Sequence, residues 1–232
     1  MIFSPKQNKI DNGNLKLTYN GYEISKLENV RYLGLIIDNK LNWRMHIERV
    51  RVTLTKFVGI FYKIRNKIPP ANLKQLYYAT VFPQLQYGIE IYANTYKTYL
   101  TDLRILNNKI LRILQFKPMD TAVKDLYIAY KTVDIEDLYV YKVGQLLHKF
   151  VYSKNLLPNV FKNFITLNSD IHSHVTRQHD NMHATVHNSP GSRLINQKAV
   201  IVWNTLPTQL KVISNFTVFR KQLLEHLQSK HR

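Results

Sequence analysis

Val30-Arg31-Tyr32-Leu33-Gly34-Leu35-Ile36-Ile37-Asp38 is the stretch on which the reading of this chain turns. An apolar run carries a single glycine and closes on an aspartate. A turn follows, Asn39-Lys40-Leu41-Asn42-Trp43, and residues 44–68 then switch to helical period. Ile47, Val50, Leu54, Phe57, Val58, Phe61, Ile64 and Ile68 recur mostly three and four apart, which marks one buried helix face. Asn42 is suited to cap that helix, and Pro69-Pro70 stops it. Strand chemistry hands over to helix chemistry at this point.

Working upstream, Leu15-Lys16-Leu17-Thr18-Tyr19 and Tyr22-Glu23-Ile24 flank Asn20-Gly21. Asn-Gly between strand-like residues predicts a hairpin, because a type I′ turn needs φ > 0 at both central positions. Val30 to Ile37 reads as one buried strand, and residues 1–38 as a small antiparallel sheet. Downstream the pattern is helical. Leu73 to Phe82 reads as a helix interrupted at Pro83. Tyr99 to Phe116 turns Leu100, Leu103, Leu106, Ile110, Ile113 and Leu114 inward. Ala122 to Tyr130 is a short helix. Asp134 caps a longer one through Val151, with Leu138, Tyr141, Leu146, Leu147 and Phe150 as its core face. A short helix is expected at Val160–Ile165 and a polar loop with an isolated hairpin at 167–193. A docked helix over 196–206 and a last one over Thr217–Gln228 complete the chain.

Lys and Arg number 33 against 15 Asp and Glu, a net charge of +18. That imbalance opposes compaction and points to a polyanionic partner. Nucleic acid leads, since 15 Tyr and 10 Phe offer stacking surface. An anionic membrane surface is second, although no apolar stretch approaches the ~20 residues that span a bilayer. There is no cysteine, which excludes disulfides, thiolate metal sites and cysteine nucleophiles and fits a reducing compartment.

Several elements resemble, in order, the part of non-LTR (LINE-type, jockey-like) retrotransposon reverse transcriptases that follows the catalytic loop. Met1-Ile2-Phe3-Ser4 resembles the strand after that loop. Tyr32-Leu33-Gly34 with Ile37-Asp38 resembles the primer grip, and Leu41-Asn42-Trp43 with His46-Ile47 the start of the thumb. Phe61-Tyr62-Lys63-Ile64-Arg65, Leu76-Tyr77-Tyr78 and Phe82-Pro83-Gln84-Leu85-Gln86-Tyr87-Gly88 are similar to thumb elements. So is Leu106-Asn107-Asn108-Lys109-Ile110-Leu111-Arg112-Ile113. His174-Val175-Thr176-Arg177 and Trp203-Asn204-Thr205-Leu206-Pro207, with Phe219 and Leu223, resemble C-terminal modules. Where the family has Gly-Pro before the Trp-Asn element, this chain has Ala199-Val200.

The resemblance implies a mainly α fold with a small N-terminal antiparallel β element. Residues 1–43 would be a palm remnant with the primer-grip-like hairpin or strand, 44–155 a helical thumb bundle, and 156–232 a basic C-terminal helical domain with a His-rich loop. The expected function is that of a C-terminal polymerase fragment that binds RNA, DNA or an RNA–DNA hybrid without sequence specificity. Its partner would be the upstream polymerase region, and no membrane role is expected.

No catalytic residue is expected in this chain. Nucleotidyl transfer uses two metals clamped by carboxylates, and the family's adjacent aspartates have no counterpart, because no Asp-Asp pair occurs. Magnesium would require the upstream palm, so no cofactor and no metal ligand is assigned. Asp134, Glu136 and Asp137 are accounted for by helix capping and the macrodipole. The residues expected to meet nucleic acid are Tyr32, Gly34, Arg44, Arg49, Arg51, Lys56, Lys63, Arg65, Lys109, Arg112, Arg177 and Arg193. Their plain alternatives are a solvated basic face, a strand bulge at Gly34 and a core aromatic at Tyr32. His172, His174, His179, His183 and His187 could hold zinc but sit in loop-like sequence. Competing functions are a helical protein-interaction module, or a host-recruited or pseudogene remnant.

Overall fold

The computed structural model describes residues 16–159, 166–171, 181–183 and 195–230. The chain is mainly α-helical, with two small antiparallel strand pairs at its start. Strands β1 (Thr18–Tyr19) and β2 (Tyr22–Glu23) pair around Asn20-Gly21, whose φ values are 50° and 81°. This is the expected turn, in which both central residues are left-handed.

The expected strand from Val30 to Ile37 is instead two. β3 (Asn29–Tyr32) and β4 (Leu35–Asp38) form a hairpin that turns at Leu33-Gly34, with φ 45° and 80°. Leucine is a poor residue for positive φ, so periodicity alone runs straight through the turn. Only β4 contributes buried residues, and β3 is largely exposed. The two hairpins also do not share a sheet; each is a separate two-stranded ladder.

Helix α1 (Arg44–Ile64) follows and ends in a 3-10 turn, Arg65–Lys67. Pro69-Pro70 then starts rather than merely stops structure. Pro70 is the first residue of α2 (Pro70–Leu76), where its missing N–H costs nothing. The helix next widens into a π turn, Tyr77–Val81, and resumes as α3 (Phe82–Gln86), so Pro83 lies within it rather than interrupting it. Phe82 N–H reaches back to the Tyr77 carbonyl, and this wider winding accommodates the proline.

A single turn, α4 (Ile89–Tyr92), leads to α5 (Lys97–Leu114), which lies along the buried face of α1. Helices α6 (Val123–Tyr130) and α7 (Ile135–Tyr152) complete this half. The Asp134 carboxylate accepts the Asp137 N–H at 2.8 Å, the expected cap. Beyond it come α8 (Asn168–Ile171), α9 (Ile195–Thr205), α10 (Thr208–Lys211) and α11 (Phe216–Ser229). Leu167 bridges Met182, and α8 stands where loop is expected. The helix expected at 160–165 lies outside the described residues.

One contiguous core runs from Trp43 to Leu227. It holds the apolar stripes read from the sequence, and Trp203 and Phe219 with them. Polar residues are threaded into it. Tyr77 Oη donates to Asn107 Oδ1 at 3.1 Å, and Asn107 Nδ2 donates to Tyr127 Oη at 3.2 Å. Burial pushes both phenols well above their ordinary range, so they remain neutral hydroxyls. Asn204 clasps the backbone of Met182 on both sides, accepting its N–H and donating to its carbonyl, each at 2.9 Å.

Candidate nucleic-acid interface

The junction between β4 and α1 is wound around one side chain. Asp38 is buried, and its carboxylate accepts the N–H groups of Lys40 and Asn42 at 3.1 Å and of Trp43 at 2.7 Å. These bonds hold two non-glycine residues, Leu41 and Trp43, at φ 50° and 63°. Such conformations cost about 1–2 kcal/mol each and persist only where the surroundings fix them. Trp43, not Asn42, occupies the cap position, and Asn42 Oδ1 accepts the Arg44 N–H at 2.9 Å.

The β3–β4 hairpin is fastened to the helices from several sides. Arg49 Nη1 donates to the Gly34 carbonyl at 2.9 Å, and Tyr87 Oη donates to the Leu33 carbonyl. His46 is buried beneath, with Nδ1 accepting the Ile36 N–H at 3.4 Å. Burial, then the neighbouring Arg49, lower its pKa to about 4, so the ring is neutral at pH 7. A Cβ on Gly34 would stand 3.2 Å from Tyr87 Cε1. Gly34 thus serves a hairpin turn under a close aromatic, not a bulge. Tyr32 is 62% exposed and is not a core aromatic; Leu33 at the tip is 71% exposed.

Helix α1 lies directly below this tip. Opposite its buried stripe runs a second one, Met45, Arg49, Val52, Lys56, Ile60 and Lys63, at spacings of three and four. Met45, Val52, Lys56, Ile60 and Lys63 are exposed, and no helix among the described residues covers them. Apolar and cationic side chains alternate along one outer line, a composition that suits a surface presenting sugars and phosphates together.

The remaining expected contacts divide. Arg44 is exposed on the flank of α1. Arg51 is paired with Glu48 at 2.6 Å. The Arg65 guanidinium lies 4.7 Å from the Tyr62 ring centre and 5.5 Å from that of Phe116. Arg112 Nη2 donates to the Thr121 carbonyl at 3.1 Å, tying down the loop after α5. Lys109 is exposed on α5, but α5 packs on the buried side of α1, so Lys109 and Arg112 stand off the stripe. Arg177 and Arg193 lie outside the described residues, as do Met1–Ser4 and all of the clustered histidines except His183. Sequence reading missed His46, Asp38 and Tyr87 as supports. At His46 the available signal is its place one turn before Val50, on the apolar face of the helix.

Among the described residues no group of three His, Cys, Asp or Glu could hold a metal ion. No helix among them is long and apolar enough to cross a membrane.

No protein-family profile matches the chain, and no solved structure matches it. Curated relatives do. The RNA-directed DNA polymerase from mobile element jockey of Drosophila funebris is 29% identical over 147 residues, 62% of this chain and 16% of the relative. Its Drosophila melanogaster counterpart is 27% identical over 146 residues, with the same shares. A probable RNA-directed DNA polymerase from transposon X-element of D. melanogaster is 24% identical over 106 residues, 43% of this chain and 12% of the relative. The chain thus resembles a region of jockey-like non-LTR reverse transcriptases and spans 16% of the length of the first two relatives.

Proposed function

We propose that this chain, similar to jockey-like RNA-directed DNA polymerases, is their post-catalytic portion and holds a primer–template duplex without carrying out nucleotidyl transfer itself. The observation that carries this reading is the outer line of α1 beneath a braced hairpin tip. Lys56 and Lys63 would meet phosphates, while Met45, Val52 and Ile60 would lie on sugar edges. Such contacts position a duplex and leave its sequence unread. A-form-like RNA–DNA hybrids offer a wide, shallow minor groove, which a helix with a mixed face can follow. Tyr32 and Leu33 would touch the backbone at the end of that track. The net charge of +18 supplies the long-range attraction.

The test is binding of the purified chain to a labelled RNA–DNA hybrid, followed by fluorescence anisotropy across a salt series. Affinity should fall steeply with salt, and Lys56→Glu with Lys63→Glu should weaken it and flatten the salt slope. Salt-insensitive binding, or none, rejects the proposal.

A second reading has its own support. Leu17, Tyr19, Tyr22, Ile24 and Leu27 form an exposed apolar run around the first hairpin. Such a surface is suited to another protein part, and the resemblance points to polymerase palm. Hydrophobic-dye binding and light scattering address it. A monodisperse monomer that binds no dye would leave this reading without support.

A further inference from the structure

A cavity of about 250 Å³ opens on a part of the molecule that shares no residue with the hairpin or α1. Lys131, Lys142 and Arg220 border it, together with Tyr78, Tyr141 and Gln145, and none of its lining side chains is acidic. Three cations without a carboxylate call for an anion.

The walls are built, not accidental. Tyr78 belongs to the π turn, a departure from regular helix that recurs at functional sites. Its hydroxyl donates to the carbonyls of Tyr130 and Lys131, at 2.8 and 2.9 Å. Lys131 is thereby fixed at φ 53° as the left-handed end of α6, where Thr132 N–H closes on the Tyr127 carbonyl at 3.0 Å. On the other side, Gly144 lets α11 approach α7, since a Cβ there would stand 2.8 Å from Leu223 Cδ2. That approach sets Arg220 beside Tyr141, whose hydroxyl it and Gln145 draw down against the upward push of burial. The buried Gln145 amide lies beside the Tyr141 hydroxyl and lines the same cavity.

We infer that this cavity is a binding site for one phosphorylated nucleoside. The phosphate lies among Lys131, Lys142 and Arg220, the base against Tyr78 and Tyr141, and a base or ribose acceptor on Gln145 Nε2. The volume sits just below the usual small-ligand range of about 300–1,000 Å³, which limits the occupant to one nucleotide unit. That unit is either a free nucleotide or the phosphorylated end of a strand. The site stands independently of duplex binding along α1.

The test is calorimetric titration of the full chain with AMP, adenosine and inorganic phosphate. AMP should bind one to one, and more tightly than either half. Arg220→Ala, Lys142→Ala and Gln145→Glu should each weaken it at least about ten-fold, with unchanged circular dichroism. Arg220 and Lys142 reach solvent, so their truncation leaves the core intact. A 5′-phosphorylated oligonucleotide that displaces AMP, where the unphosphorylated one does not, assigns the site to strand ends; failure to displace assigns it to free nucleotide. Silence toward AMP overturns the inference even if hybrid binding is intact. Phosphate binding as tightly as AMP overturns it too, because the aromatic wall would then contribute nothing. Loss of hybrid binding with AMP binding retained would instead strike the duplex proposal alone.

Discussion

The two hairpins have nearly the same backbone turn and opposite fates. Asn20-Gly21 and Leu33-Gly34 both place two consecutive residues at positive φ. The first has the favoured turn residues, yet its strands are exposed throughout, with Tyr19 and Tyr22 at 70% and 80%. The second has an unfavourable leucine, yet it is held by Arg49, Tyr87, His46 and Asp38. Turn chemistry selects a local shape; side chains arriving from elsewhere decide whether it becomes part of the folded body. An isolated two-stranded ribbon is marginal in water.

The sharpest break of this contrast is Asp38→Ala. It leaves three backbone N–H groups without their acceptor and frees Leu41 and Trp43 from their positive φ. About 3–4 kcal/mol of stability should be lost in denaturant melts, whereas Tyr22→Ala should leave the midpoint almost unmoved.

Next comes acid. The His46 pKa falls from 6.5 to about 4 on folding. Below pH 6.5 the unfolded chain takes up a proton that the native ring refuses. Stability is therefore full above that pH and is lost as pH falls from 6.5 toward 4, by about 3 kcal/mol from this group. His148 and His226 are also held below their ordinary range, chiefly by burial, and add in the same direction. Comparing melts across this window, His46→Phe should show a visibly shallower slope; an unchanged slope would place the acid sensitivity elsewhere.

Glycine substitutions refine the comparison. Gly34→Ala combines a positive φ with the Tyr87 ring at 3.2 Å and should cost about 1–2 kcal/mol. Gly21→Ala meets nothing within 4 Å and should change global unfolding by less than about 0.5 kcal/mol, because its ribbon melts on its own. Equal effects would mean that both hairpins belong to one cooperative unit. Among the changes at the second hairpin the smallest is Tyr87→Phe, about 1 kcal/mol for one hydrogen bond, with Leu33 amide exchange quickened.

The sequence made the long helices legible because their apolar spacing is regular: α1, α5, α7 and α11 stand close to where periodicity puts them. Asn20-Gly21 was legible because its residues prefer the conformation they adopt. Leu33-Gly34 was not, since tethers more than ten residues away impose it. The basic residues of α1 were visible as a group, but their division was hidden. Arg51 pairs with Glu48 one turn away, Arg65 lies against Tyr62 and Phe116, Arg49 is committed to the hairpin, and Arg112 is tied to the loop after α5. Only packing separates a cation that braces from one that remains exposed, such as Lys56 or Lys63.

The π turn also fixes how this chain tolerates insertion and deletion. Leu73, Tyr77, Val81 and Leu85 are essentially fully buried at strict intervals of four. A regular helix would drift about 40° at each interval, turning Leu85 roughly 120° away from Leu73. The wide turn absorbs that drift with one surplus residue. Deleting Ala79, which is exposed in that turn, would leave an ordinary helix in which Leu85 keeps within about 20° of the line of Leu73, so the downstream half retains its buried face while Pro83 meets the carbonyl one turn before it.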